Sequence, residues 1–444
     1  MSVSLRRFER IHIHSHIKGL GVKNGEPLPV SEGFVGQLEA RKAAWIVVQL
    51  IKQGKMAGRG VLLAGPPGTG KTALAIAIAK ELGEDTPFVA LSGSEIYSSE
   101  IKKTEILMQS LRRAIGVRIH EFRRILEGVV KKLEVKLGPH PYNPYQQVPV
   151  EGTIVLATTS EERRLKVSGN FVAELLSKGV SEGDVVWIDL ETGRVHRVGR
   201  AKGFEKEYDI YGEKLVEIPK GSLEKEREFI HTVTLHDLDV MHSRSGSLLM
   251  LLFGGEQREI SPEVRSRVDE AVKSWVDEGR AELLPGVLFI DDVHMLDIES
   301  FSFLSRAMEN ELAPIIILAS NRGFTKIRGT DIKSPHGIPL DLLDRLLIIK
   351  TRPYRPNEIR EILKIRAREE NVELTEEALE YLTRIGSKES LRYASQLLTP
   401  AKILALNRGA DKVDVRDVEE ASRLFVSMVE SSKYLRELEE SFLK

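Results

Sequence analysis

Residues 60–83 read GVLLAGPPGTGKTALAIAIAKELG, and this stretch decides the fold. A short apolar strand, Val61 to Ala64, runs into Gly65, Pro66, Pro67, Gly68, Thr69, Gly70, Lys71 and Thr72, and an alanine-rich helix follows. The string is GxxxxGK[ST] in the strand, loop and helix context that a phosphate-binding loop needs. Glycines let backbone N–H groups wrap phosphate oxygens, the helix start adds the positive end of its dipole, Lys71 reaches the β and γ phosphates, and the Thr72 hydroxyl suits Mg²⁺. ATP and Mg²⁺ are the ligands expected.

A loop that grips a triphosphate needs acidic partners, and they stand 220 positions beyond Lys71, in 287-VLFIDDVHML-296. Ionised carboxylates at the end of a buried strand are costly unless they face a metal or a cation. Asp291 is expected to hold Mg²⁺ and Asp292 to position the attacking water; a solvated acidic turn is the alternative. Most enzymes of this type carry Asp-Glu here. Aspartate is as basic as glutamate to within about 0.4 of a pKa unit, but shorter by one methylene, so slow hydrolysis is expected.

Such a core needs only a few tens of residues between these two motifs, so a domain is inserted. The spans expected are 1–117 and 284–350 for the core, 118–283 for the insertion and 351–444 for a helical lid. An amphipathic helix is predicted over 101–119. Within the insertion, strands are predicted over 127–136, 152–159 and 163–168, a helix over 170–179 and a hairpin over 183–200, together suggesting a small Greek-key barrel of the OB type. Arg194, His196, Arg197, Arg200 and Lys202, with Trp187, Phe204, Tyr208 and Tyr211, are candidates to bind single-stranded DNA or RNA. The alternative is a solvated hairpin face over a barrel core.

Downstream, a buried strand ends at Asn321, where a polar side chain could touch the water or the γ-phosphate, or simply make a turn. Arg345 lies between a helix and the next strand, placed to project toward a neighbouring subunit's nucleotide. From Thr351 onward the pattern is helical, with helices predicted over 357–372, 375–386, 388–409 and 414–430. Arg392 opens the third of them, and either closes onto the phosphates or sits in a surface ion pair.

Composition excludes other classes. The 444 residues carry 65 Lys and Arg against 66 Asp and Glu, so a net charge of -1 gives no general attraction to nucleic acid or membrane. There is no cysteine, hence no disulfide, zinc ribbon or thiol nucleophile. No apolar run is long enough to span a bilayer, and a cytoplasmic protein, or a nuclear one where the cell has a nucleus, is expected. The spaced histidines of 11-IHIHSH-16 read as a period-two strand or a tail; a metal site would need carboxylates that are not there.

Several strings narrow the reading: HSHIKGLG at 14–21, MAGRGVLLAGPPGTGKTALA at 56–75, GSEIYSSEIKKTE at 93–105, VTLHDLDV at 233–240, PGVLFIDDVHMLDIESF at 285–301, ASNRG at 319–323, RGTDIKSPHGIPLDLLDRLLIIKT at 328–351 and LRYASQLLTPA at 391–401. Together they resemble the RuvB-like AAA+ ATPases, the pontin and reptin family, in an archaeal-type homologue. The resemblance implies an α/β fold with a P-loop AAA+ core, an inserted OB-fold-like domain and a C-terminal helical lid. It implies a hexameric ring, or a stacked double ring of twelve, and an ATP hydrolase that unwinds DNA or remodels nucleoprotein complexes. An ATP-gated scaffold or chaperone with protein clients is the other reading. By the same resemblance His14, His16, Tyr354 and Ile362 lie near the adenine, Asn321 is sensor 1, Arg345 the arginine finger and Arg392 sensor 2.

Overall fold

The computed structural model describes residues 16–83, 85–140, 143–204, 215–245, 259–310 and 312–442. His14, Tyr208 and Tyr211 lie outside them.

Five strands form the central sheet: β1 (Gly60–Ala64), β2 (Phe88–Ser92), β3 (Val287–Asp291), β4 (Ile315–Ser320) and β5 (Leu346–Lys350). All pair in parallel, in the order β5-β1-β4-β3-β2. Both faces are covered, which is why these strands are apolar throughout rather than alternating. Val61 and Leu63 of β1, Phe289 of β3 and Ile317 of β4 pack on one side against helices Leu38–Lys52 and Lys71–Leu82. Leu62, Leu288, Ile290 and Leu318 pack on the other against Lys103–Arg113 and Ile298–Ala307. Because β4 lies between β1 and β3, the loops leaving the C-terminal ends of these three strands are neighbours, and a parallel sheet places its ligands at such ends.

The C-terminal helices form a core of their own around Leu363, Leu379, Leu382, Leu398 and Val418. Helix Pro356–Glu369 starts where Pro356 fixes the first turn and the Glu358 carboxylate accepts the Arg355 N–H at 2.7 Å. The helix expected over 388–409 is two, Leu391–Gln396 and Leu398–Asn407. Pro400 explains the break, since proline is tolerated in a first turn but not in a helix interior. A further helix, Met428–Phe442, follows Val415–Leu424.

Chain contacts divide the protein into two compact units, Met1–Val117 with Thr232–Ser274 and Leu283–Lys444, and Arg118–His231 with Trp275–Glu282. The stretch Thr232–Ser274, inside the span 118–283 read as an insertion, has its contacts in the first unit. The second unit is built on a mixed sheet with one helix, Gly169–Ser177, packed on it. Its strands Asp184–Asp189 and Val195–Ala201 form the hairpin expected. The helix predicted over 101–119 ends at Arg113, and a strand, Ile115–His140, begins where Gly116 sits between two β-branched residues. This strand is far longer than the segment 127–136 read from sequence, and absorbs its length through register shifts between Val130 and Lys132 and between Lys136 and Leu137. Strand Glu224–Thr234 was not foreseen.

Candidate active site

At the exit of β1 the chain turns so tightly that two glycines are fixed by contact. A Cβ on Gly65 would lie 2.2 Å from Thr351 Oγ1, and one on Gly70, whose φ is 81°, would lie 2.5 Å from the Tyr354 hydroxyl. Gly65 and Pro66 begin the loop, do not line the cavity described below, and turn their carbonyls to Lys71. The Lys71 Nζ donates to Gly65 O at 2.9 Å and Pro66 O at 2.8 Å. Burial pulls its pKa down, and Asp291 and Asp292 oppose that pull.

Asp291 closes β3. Burial pushes its carboxyl above the ordinary range, the N–H of Asp292 donating to Oδ1 at 2.9 Å works against this, and the Asp292 charge adds to the rise. Asp292 itself has φ 48°. That left-handed backbone costs a residue with a Cβ about 1–2 kcal/mol and is entered most readily by Asn and Asp, which gives the shorter acid a conformational reason to be there. From the end of β4, Asn321 Nδ2 donates to Asp292 Oδ1 at 3.1 Å.

These groups share one cavity of about 590 Å³, inside the range of small-molecule sites. Pro67, Gly68, Thr69, Gly70, Lys71 and Thr72 form its floor, and Asp291, Asp292 and Asn321 one wall. The lid supplies Ile362 and Arg392, the linker after β5 supplies Tyr354, and the N-terminal segment supplies His16, Ile17 and Phe34. Burial and the nearby Arg366 hold the His16 imidazole below its ordinary pKa, with Glu369 opposing them. Burial likewise pushes the Tyr354 phenol up. The donor set fits a metal nucleotide: a loop of N–H groups and a lysine for phosphates, a hydroxyl and a carboxylate at Thr72 and Asp291 for a hard divalent ion, and apolar side chains for a base. Among the described residues no cluster of three or more His, Cys, Asp or Glu offers another metal site.

Comparison with known families agrees with this geometry. The TIP49 P-loop domain matches residues 10–357, and the TIP49 AAA-lid domain matches residues 362–427. The chain belongs to the TIP49 family. TIP49 proteins are the RuvB-like AAA+ ATPases, the pontin and reptin family, and their members typically form oligomeric rings. Among the described residues of this TIP49 chain, no helix is long and apolar enough to cross a membrane.

Arg345 stands apart from the cavity. It precedes β5, its carbonyl accepts the Gly60 N–H at 3.1 Å, and its guanidinium pairs with Glu309. Three residues that sequence reasoning passed over brace the TIP49 cavity from outside. Thr351 Oγ1 meets Thr69 Oγ1 at 2.7 Å. Arg41, fully buried, donates to the carbonyls of Leu20, Gly21, Leu28 and Gly36 and so shapes the segment that carries His16 to Val35. Gln37 bridges Thr69 and Arg352. None has a sequence signal, because each acts on backbone carbonyls or a lone hydroxyl far along the chain.

In the second unit the basic groove read from sequence is largely committed elsewhere. Arg197 pairs with the buried Asp184 at 2.8 Å, Arg200 is buried and donates to Phe204 O at 2.8 Å, and Lys202 pairs with Glu217 at 3.5 Å. The Trp187 ring is stacked on His196 at 4.0 Å, tilted against Phe229 at 5.2 Å and covered by Arg227. An indole contacted in this way is not an open platform for a base.

Proposed function

We propose that this chain hydrolyses ATP within a ring, at the cavity described above, and uses the cycle to unwind DNA or remodel nucleoprotein complexes. The reading rests on one observation: Lys71, Thr72, Asp291, Asp292, Asn321 and Arg392 line a single cavity although they come from four separate segments of the chain. Lys71 would turn from the loop carbonyls to the β and γ phosphates, and the His16, Tyr354 and Ile362 side would take the adenine. Asp292 would accept the proton of the attacking water as its oxygen bonds the γ-phosphorus and the bond to the ADP oxygen breaks. Asn321 would hold that carboxylate and water in line, and Arg392 would balance charge from the lid. Mg²⁺, held by Thr72 and Asp291, would neutralise charge that develops on the phosphate oxygens. Arg345 would act on the nucleotide of the neighbouring subunit. Residues 1–117 and 284–350 are taken as the core, 118–283 as the inserted span, of which Thr232–Ser274 has its contacts in the first unit, and 351–444 as the lid.

A second reading, an ATP-gated scaffold that recruits protein clients through the inserted domain, is favoured by the committed arginines and the covered Trp187 of that domain. Hydrolysis measured with and without single-stranded DNA, beside strand displacement across a salt series, separates the two. A rate raised by DNA, with unwinding that falls steeply as salt is added, supports the motor. An unchanged rate without unwinding leaves the scaffold. Absence of ATP binding by the wild-type chain refutes both.

A further inference from the structure

Gln37 immediately precedes the helix Leu38–Lys52, and its backbone is left-handed, with φ 50° and ψ 37°. A glutamine gains nothing from that conformation by itself, so it persists where the surroundings over-determine it, and such outliers gather at functional sites. The residue is 3% exposed and does not line the nucleotide cavity. Its carboxamide is used at both ends. Nε2 donates to Thr69 O at 3.2 Å and to Arg352 O at 2.5 Å, and Oε1 accepts the Arg352 N–H at 3.2 Å. The carboxamide therefore has backbone partners on the phosphate loop and on the linker that follows β5, and it also meets the Tyr354 hydroxyl on that linker.

The bond to Thr69 O has a geometric consequence. No peptide in the described chain is cis, and in a planar trans peptide the C=O and the N–H of the next residue point in opposite directions. Holding the Thr69 carbonyl toward Gln37 turns the Gly70 N–H away from Gln37, while Gly70 lines the cavity. We propose that Gln37 is a positioning residue for phosphate binding, which fixes the Thr69–Gly70 peptide so that the Gly70 N–H faces the nucleotide phosphates. The inference rests on the ATP-binding reading above and names a group that sets the cradle.

The same carboxamide ties the loop to the lid. Arg352, clipped through its own N–H and C=O, forms a two-pronged pair with Glu358 at 2.6 and 2.9 Å, and Glu358 lies in the first turn of Pro356–Glu369, the lid helix that carries Ile362 into the cavity. Gly36, next to Gln37, has φ 61° and lies against this pair, so that a Cβ there would fall 2.4 Å from Glu358 Oε1. One side chain therefore links the Thr69 carbonyl of the phosphate loop to the linker that leads into the lid helix.

The test compares ADP, AMP and adenosine binding to the full-length wild type and to Gln37→Glu by calorimetry, with thermal unfolding as a control. Glutamate keeps the size and the acceptor for the Arg352 N–H but removes both donors. ADP affinity is expected to fall about 10-fold or more, AMP and adenosine affinity to change less than about twofold, and the fold to be retained. Equal losses for ADP and adenosine, or ADP binding like that of the wild type, overturn the proposal. Should Gln37→Glu fail to fold, Gln37→Asn, one methylene too short to reach both partners, is read by the same criterion. A wild type that binds no ADP removes the ATP-binding reading itself, and so is told apart from a failure at Gln37.

Discussion

The Asn321 carboxamide reaches the Asp292 carboxylate, Nδ2 to Oδ1 at 3.1 Å, and joins the tips of two adjacent parallel strands across the cavity wall. An acid held this way has one oxygen engaged and the other available to a water. Asn321→Ala should lower kcat by about 10- to 1000-fold, in the manner of a lost oriented donor, and leave ATP affinity within about threefold. A loss confined to affinity would show that Asn321 serves binding alone.

At Asp292 two effects oppose each other. Glutamate would extend the carboxylate by one methylene toward the water but must enter the left-handed backbone that suits aspartate, at about 1 kcal/mol. Asp292→Glu is expected to raise kcat several-fold and lower the melting temperature by a few degrees, while Asp292→Asn should lower kcat by about 100-fold or more. A large loss of turnover in the glutamate variant would mean that the site is built around the shorter acid.

Arg345 and Glu309 form an exposed pair, which contributes little stability. Glu309→Gln should therefore leave melting almost unchanged. Arg345→Ala should cut kcat about 1000-fold with ATP affinity kept. Mixing Arg345→Ala with Lys71→Ala subunits should restore part of the rate, since some interfaces then combine an intact loop with an intact arginine. A mixture no faster than the average of the two variants argues against action across subunits.

The floor and acidic wall of the cavity were legible because their residues sit at strand ends that a parallel sheet must bring together, whatever lies between them in sequence. Gln37, Arg41 and Thr351 were not, because a side chain that hydrogen-bonds backbone carbonyls accepts almost any sequence as its partner. Arg197 and Arg200 misled for a related reason. A charged run on a strand reads as one solvated face, yet Arg197 turns to the buried Asp184 and Arg200 to a main-chain carbonyl. His16 is found on the cavity wall, whereas the motif around it gave only a period-two pattern and a family resemblance.

Arg41 offers a measure of how far the N-terminal segment controls the cavity. Its guanidinium fork meets four carbonyls at 2.6 to 3.2 Å, an arrangement that one ammonium cannot reproduce. Arg41→Lys should destabilise the protein by about 2 kcal/mol or more, since buried carbonyls lose donors. Because the freed segment carries His16, Ile17 and Phe34, ADP should also dissociate about 10-fold faster in a stopped-flow displacement experiment. Unchanged release would separate the segment's fold from nucleotide retention.

Acid should loosen the second unit through Asp189. Burial pushes this carboxyl up, but the Thr192 hydroxyl at 2.7 Å, the N–H groups of Thr192 and Glu191 at 3.1 and 2.8 Å and the Arg123 guanidinium at 2.9 Å overcome that and bring it down to about 2. The folded value lies below the unfolded one of about 3.9, so the stabilisation is complete above about pH 5 and is lost as pH falls from about 5 toward 2. Asp189→Asn should therefore be less stable than the wild type at pH 7, and the difference should shrink steadily across that window. Urea unfolding followed through Trp187, with Trp45 and Trp275 replaced by Phe, reports on this unit within the intact chain. A difference that stays constant from pH 7 to pH 2.5 would assign the loss to hydrogen-bond geometry and not to the ionised carboxylate.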